Sequence, residues 1–269
     1  MRSLKARWFV HKRQHEELEK RLKALFLSKI LKTYSAMADE ARKETASYEE
    51  FLLSVLRHEC ESRRQKRIAR YLKESRLPLE KTLESFEMKR LPLKALHQVK
   101  ALLDGEFIDR HENLLVFGAP GSGKTHLVSG IGHELIKKDK RIYSTSCAIL
   151  LQDLLRAKKE LKLAKLLKKF GGFDGIIIDD IGYVQEAKEE MEVFFTFLAE
   201  RYERGSVMIT SNLPFSKWDN IFKDPMMTAA AIDRIVHHSV ILELNISSFR
   251  IESAKKNRTR TESAEKGNS

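Results

Sequence analysis

Apolar positions in the first part of the chain recur at helical spacing. Leu18, Leu22, Leu25 and Phe26 form one stripe; Tyr48, Phe51, Leu52, Val55 and Leu56 form another. No Gly or Pro interrupts residues 1–75. Ser47, with Glu50 three residues on, reads as a helix start in which hydroxyl and carboxylate exchange bonds with each other's backbone N–H. The pattern predicts an all-helical N-terminal domain over 1–77. A linker and lead-in helix follow over 78–111, punctuated by Pro78 and Pro92.

From Glu112 the period changes. Short apolar runs alternate with helical patterns, as in a parallel α/β sheet covered by helices. Strands are expected over 114–118, 141–146, 175–180, 207–212 and 240–244, with helices over 124–138, 149–160, 186–204 and 228–237. This predicts an α/β domain over 112–251. The polar tail over 252–269 holds almost nothing apolar and is expected to be disordered.

Charge adds a partner to this picture. Lys and Arg number 50 against 38 Asp and Glu in 269 residues, a formal net charge of +12. Such a balance suits a polyanion, of which nucleic acid is the commonest. Cys60 and Cys147 stand in no metal-ligand or disulfide pattern. No apolar run approaches the ~18 residues of a membrane span, and the basic N-terminus lacks a signal peptide's apolar stretch. A cytoplasmic protein with no membrane association is expected.

The chemistry lies at the strand ends. The apolar run Leu114-Leu115-Val116-Phe117 is followed at once by Gly118-Ala119-Pro120-Gly121-Ser122-Gly123-Lys124-Thr125. Glycines at this spacing let backbone N–H groups turn inward around phosphates. Lys124 then reaches the β and γ phosphates, and Thr125 offers its hydroxyl to Mg²⁺. The helix that follows points its positive end at the same anions. The run Ile176-Ile177-Ile178 ends in Asp179 and Asp180, and Asp179 stands 55 residues beyond Lys124. Asp179 is placed to hold the metal; Asp180 to orient or deprotonate the attacking water. The run from Val207 brings Asn212 to the same edge. Its amide there serves either to position that water or to cap the turn before Pro214. ATP and Mg²⁺ are the expected ligands.

With these residues the chain resembles AAA+ ATPases of the IstB type, helper proteins of bacterial insertion sequences and kin of the DnaC-type helicase loaders. The likeness runs through Tyr48-Glu49-Glu50-Phe51-Leu52, Leu83-Glu84-Ser85-Phe86, and Phe107 to Asn113. It continues through Gly123-Lys124-Thr125-His126-Leu127, Asp179-Asp180-Ile181-Gly182-Tyr183, Thr210-Ser211-Asn212-Leu213-Pro214 and Ala231-Ile232-Asp233-Arg234. It implies a P-loop fold with a five-stranded parallel sheet and nucleotide contacts reaching His126. Asn212 takes the sensor position, and Arg234 that of an arginine finger acting on a neighbouring copy's site. It further implies a homo-oligomer with ATP at its interfaces, double-stranded DNA as ligand and a cognate transposase as partner. The same ATPase residues would also serve a helicase loader acting on single-stranded DNA.

Two features depart from the wider AAA+ class but are shared by the IstB type that the chain resembles, and a third departs from the IstB pattern itself. Asp180 stands where many of the class carry Glu, which implies slow or partner-dependent hydrolysis. The 25 residues after the last predicted strand are too few for the C-terminal helical lid of the class. Ser247-Ser248-Phe249-Arg250 carries Phe where the family shows Tyr, with Arg250 as the candidate phosphate sensor.

Three basic clusters are candidate DNA contacts. Lys158, Lys159, Lys162 and Lys165, continuing to Lys168 and Lys169, are expected on a helix whose leucines, Leu161 among them, pack inward. Arg63, Arg64, Lys66 and Arg67, with Arg70, close the helical domain. Lys255, Lys256, Arg258 and Arg260 lie in the tail. None carries a base-reading motif, so binding through phosphates is expected.

Overall fold

The computed structural model describes residues 2–182, 188–214, 217–218, 225–246 and 248, with side chains undescribed at 2–12, 188, 225–228 and 231. The chain divides into two compact units, residues 1–69 and 70–269.

In the first unit, α1 (Arg2–Ala24), α2 (Ser28–Lys43) and the greater part of α3 (Tyr48–Ser75) close on a small core. Leu22, Ile30 and Val55 are buried there, with Leu27, Leu31, Tyr34, Met37 and Phe51 packed around them. The predicted cap opens α3: Ser47 N donates to Glu50 Oε2 (2.8 Å) and Glu50 N to Ser47 Oγ (3.2 Å). The two predicted stripes bury only in part, because Leu25, Phe26, Tyr48, Leu52 and Leu56 are exposed. One buried acid replaces what α2 lacks. Leu27, at its N-cap, supplies no side-chain bond, and Glu59 of α3 accepts from Lys29 N (2.8 Å) and Ile30 N (3.1 Å) instead.

The second unit carries α4 (Leu93–Leu102) and α5 (Glu106–Asp109), then the sheet and its helices. The strands are β1 (Asn113–Gly118), β2 (Ile142–Ser146), β3 (Gly175–Ile181), β4 (Ser206–Ser211) and β5 (Ser239–Leu244). They run parallel in the order β2-β3-β4-β1-β5. The intervening helices are α6 (Lys124–Lys137), α7 (Cys147–Lys159), α8 (Leu163–Phe170), α9 (Lys188–Arg201) and α10 (Pro225–Val236). Helices cover both faces, which is why β1 and β3 carry the continuous apolar runs 114–117 and 176–178 and why β4 is buried throughout. Leu115, Ile176, Ile178 and Ile209 face the core built with α7, α9 and α10. Ile177 points the other way, onto α6, where a Cβ on Gly132 would lie 3.0 Å from its Cδ1. Each such buried side chain contributes ~1.5–3 kcal/mol.

Two expectations shift. The helix after β2 begins at Cys147 because Ser146 caps it, its Oγ accepting from Ile149 N (3.3 Å). The lysine-rich stretch is two helices. Leu161 adopts φ 54° and Lys162 N returns to Ala157 O (2.8 Å), the wrapped C-terminal closure that ends a helix. Leu161 is therefore 95% exposed instead of packing inward, while Leu163, Leu166 and Leu167 of α8 meet the core.

Buried Arg201 ties α8 to the sheet. Its guanidinium donates to the carbonyl oxygens of Phe170 (3.0 Å), Phe173 (2.7 Å), Asp174 (3.1 Å) and Ser206 (3.0 Å). Burial pulls its pKa down to about 10. Among the described residues no helix is long and apolar enough to cross a membrane. The expectations about a lid and a disordered tail fall beyond residue 250, outside the described residues.

Candidate functional site

The strand order decides what meets at the C-terminal edge of the sheet. Strand β4 lies between β1, which leads into the glycine-rich loop, and β3, which carries the two acids. Residues at the end of β4 therefore fall between loop and acids, where open α/β sheets bind ligands.

The loop leaves β1 at Gly118 and enters α6 at Lys124. Gly121 (φ 80°) and Gly123 (φ 91°) are left-handed, a conformation open to glycine at little cost. Gly123 is the N-cap residue of α6 and supplies no side-chain bond, so the first N–H groups of that helix remain available to an anion. Lys124 is buried, its ammonium donating to Gly118 O (2.8 Å) and Ala119 O (3.1 Å). Ser122 Oγ is buried with no partner inside the loop. Ser248 closes over the loop, where a Cβ on Gly121 would collide with its hydroxyl.

Across from the loop, Asp179 Oδ1 accepts from Thr125 Oγ1 (3.0 Å) and from Thr210 Oγ1 (2.5 Å). Thr210 Oγ1 in turn accepts from Asp180 N (2.8 Å), so one hydroxyl of β4 sets both acids. The register between β3 and β4 shifts between Ile178 and Ile181, and Asp180 sits in the bulge with φ 68° and an exposed side chain. Such a conformation is costly for a non-glycine residue and is characteristic of functional positions. Asn212 follows β4, its Oδ1 buried and unbonded beside Gly182. The hydroxyl of Thr125 and the carboxylate of Asp179 form a hard-oxygen pair that fits Mg²⁺. Among the described residues no group of three or more His, Cys, Asp or Glu could hold a metal, so phosphate and water oxygens would complete the shell.

A cavity of about 280 Å³ adjoins the loop, lined on one side by Gly121 to His126 and on the other by Lys81, Ser85, Phe86, Glu87, Arg90 and Ile246. The second side was not anticipated from the sequence. Its segment runs antiparallel along α6: Pro78 O meets His133 Nε2 (2.9 Å), Leu83 packs on Gly130, and Thr82 O and Ser85 Oγ meet His126 Nε2 (2.9 and 3.0 Å). Phe86 lies edge-on to His126 at 5.3 Å and covers Gly123. The signal was present as the contacting positions 126, 130 and 133, one face of α6 at spacings of four and three.

Other predicted residues stand apart from this edge. Arg234 lines the opposite edge of the sheet with Asn113 and Val207; it stacks on Phe195 (4.7 Å) and donates to Ala230 O (3.0 Å). Lys158, Lys159, Lys162 and Lys165 are exposed; Lys158 pairs with Glu192 (3.2 Å) and Lys162 with Glu160 (2.8 Å). Arg63 is committed to Glu59 (2.9 Å) and Phe26 O (2.9 Å), Arg64 pairs with Glu61 (3.8 Å), and Lys66 reaches Ser28 Oγ (3.4 Å). Tyr183, Phe249, Arg250 and the tail cations lie outside the described residues.

Residues 20–257 match the family described as IstB-like ATP binding protein. An insertion sequence ATP-binding protein of Sinorhizobium fredii is 41% identical over 234 residues, covering 87% of this chain and 78% of that protein. The IS21 ATP-binding protein of Pseudomonas aeruginosa is 33% identical, covering 89% and 91%. Among solved structures, AMPPCP-bound DnaA from Aquifex aeolicus matches at TM-score 0.52 and 21% identity, over 69% of this chain and 57% of that one. DnaI matches at TM-score 0.53 and 19% identity, over 64% and 96%. Sheet order, phosphate loop and family agree: the chain belongs to the IstB-like ATP binding proteins and is an ATPase of the AAA+ class.

Proposed function

We propose that this ATPase is the helper of a cognate transposase in the cytoplasm, assembling with ATP as a homo-oligomer on double-stranded DNA. The relatives named for insertion sequences support the setting. One observation carries the assembly. The phosphate loop, both acids and Asn212 share the C-terminal edge of the sheet, whereas Arg234 stands at the other end of β1 and β5. Six residues of strand at ~3.3 Å each separate the two edges by roughly 17–20 Å. The arginine is thus out of reach of its own chain's nucleotide, and a neighbouring copy's Arg234 would complete the site.

In this reading Lys124 exchanges the carbonyls of Gly118 and Ala119 for β and γ phosphate oxygens, and the N–H groups entering α6 hold the same anions. Ser122 gains a partner for its orphaned hydroxyl. Thr125 and Asp179 hold Mg²⁺, which neutralises charge on the phosphates. Asp180 orients and accepts a proton from the attacking water, with the Asn212 amide fixing that water's position. The neighbour's Arg234 stabilises charge on the transferring phosphoryl group. DNA would be held through its phosphates by Lys158, Lys159, Lys162 and Lys165, with Arg64, Lys66 and Arg67 contributing.

Binding of matched duplex and single strands with ATP, with ADP and without nucleotide, at two salt concentrations, tests this reading. The expected result is an ATP-dependent preference for duplex that weakens with salt and disappears in Lys124→Ala. Duplex binding by Lys124→Ala equal to the native chain would overturn it. A preference for single strands would indicate a helicase loader.

A further inference from the structure

Lys81 occupies an unusual place. It lines the 280 Å³ cavity beside the phosphate loop and also a second cavity of about 280 Å³. That second space lies between the 76–81 segment, α6 and the end of β2, with Thr125, Asp179 and Thr145 among its walls. Lys81 and Thr125 are the residues common to both linings, so the lysine opens onto the same two spaces as the threonine whose hydroxyl bonds to Asp179. Its side chain is half-buried, and among the described residues no carboxylate or carbonyl engages its ammonium. Its ammonium is thus available to an anion that enters either cavity. The backbone that carries it is held on both sides, by Pro78 O on His133 and by Thr82 O and Ser85 Oγ on His126.

We propose that the Lys81 ammonium is a second lysine ligand for the phosphates of the bound nucleotide, supplied by the segment that precedes the nucleotide-binding sheet. The inference rests on the nucleotide site described above and adds a contact from outside the glycine-rich loop. It makes nucleotide occupancy felt by the 78–86 segment, since the phosphate and α6 would then hold that segment at two ends.

The test is titration of the full chain with a fluorescent ATP analogue in the native protein, Lys81→Gln, Lys81→Arg and Lys124→Ala. Arg keeps the charge and most of the aliphatic stem, whereas Gln is neutral and shorter but still polar, so a loss in Gln that Arg does not share follows the cation and its reach. A charge-assisted bond of ordinary strength predicts that Lys81→Gln weakens binding by ~10-fold or more, with Lys81→Arg staying within a few-fold of native. Equal losses in Gln and Arg would reduce Lys81 to a packing role and overturn the proposal. So would Gln binding within two-fold of native while Lys124→Ala binds poorly. Failure of the native chain to bind the analogue, or undiminished binding by Lys124→Ala, would remove the nucleotide site itself and this contact with it.

Discussion

At the scale of single residues, Thr210 and Glu59 carry more than their types suggest. Thr210 donates to Asp179 and accepts from the backbone of Asp180, so one hydroxyl fixes both acids at the end of β3. Thr210→Val keeps the shape and removes both bonds. Steady-state ATPase kinetics should then show kcat lower by ~10-fold, about 1.4 kcal/mol of barrier, with little change in KM. Glu59 is the charged counterpart in the helical unit. Burial alone raises its pKa, but bonds from Arg63 and from the N–H groups of Ile30 and Lys29 outweigh that and hold it below the usual value. A depressed folded pKa stabilises the fold above the unfolded value of ~4.3 and is lost as pH falls through the folded value. Glu59→Ala strands two N–H groups and Arg63. It should lower the stability of the N-terminal helices by ~2–3 kcal/mol at pH 7, with the difference from native shrinking on acidification, as read by urea melts followed by circular dichroism.

At the scale of elements, the segment along α6 is the least expected feature. Gly130 is a point of close approach between the segment and α6: a Cβ there would lie 2.7 Å from Leu83 Cδ2 and 3.0 Å from Leu83 N. Gly130→Ala sets two effects against each other. Alanine gains ~1 kcal/mol of helix propensity in α6, whereas the side chain would push the 78–86 segment away. Because one of the opposing atoms is backbone, displacement wins. The variant should keep its thermal stability within about 1 kcal/mol, bind ATP more weakly, and be cut faster at Lys81 by trypsin. The break at Leu161 has a different consequence for the lysine-rich stretch. Two helices meeting at an exposed turn divide the cations between them, with Lys165, Lys168 and Lys169 on the element that Arg201 ties to the sheet.

At the scale of the whole molecule, the separation of Arg234 from its own chain's phosphate loop makes the proposed assembly testable, since hydrolysis would then be a property of neighbouring copies. Arg234→Ala retains an intact loop and acids; Asp180→Asn retains the arginine. Each alone should lose most of its ATPase activity, by ~10³-fold for the arginine. A mixture should recover part of it, because an Asp180→Asn copy can present its arginine to an Arg234→Ala site. No recovery in any mixing ratio, with both variants still assembling, would count against action between copies.

The sequence by itself determined the strands, the phosphate loop and the acids. Apolar runs such as Leu114 to Phe117 must be buried wherever they pack, and the loop's chemistry is contiguous from Gly118 to Thr125. Helix existence was equally legible, and so was the end near Glu160, although the exposed turn at Leu161 was not, since that residue takes a left-handed conformation without being glycine. What joins distant positions was decided by the tertiary structure alone. Thr210 meets Asp179 from 31 residues away, His126 meets Thr82 from 44, and Glu59 caps a helix that begins 31 residues before it. A hydroxyl, an imidazole or a carboxylate in sequence has no assigned partner. Only the sheet order, which inserts β4 between loop and acids, and the course of the chain along α6 bring each to the group that gives it a role.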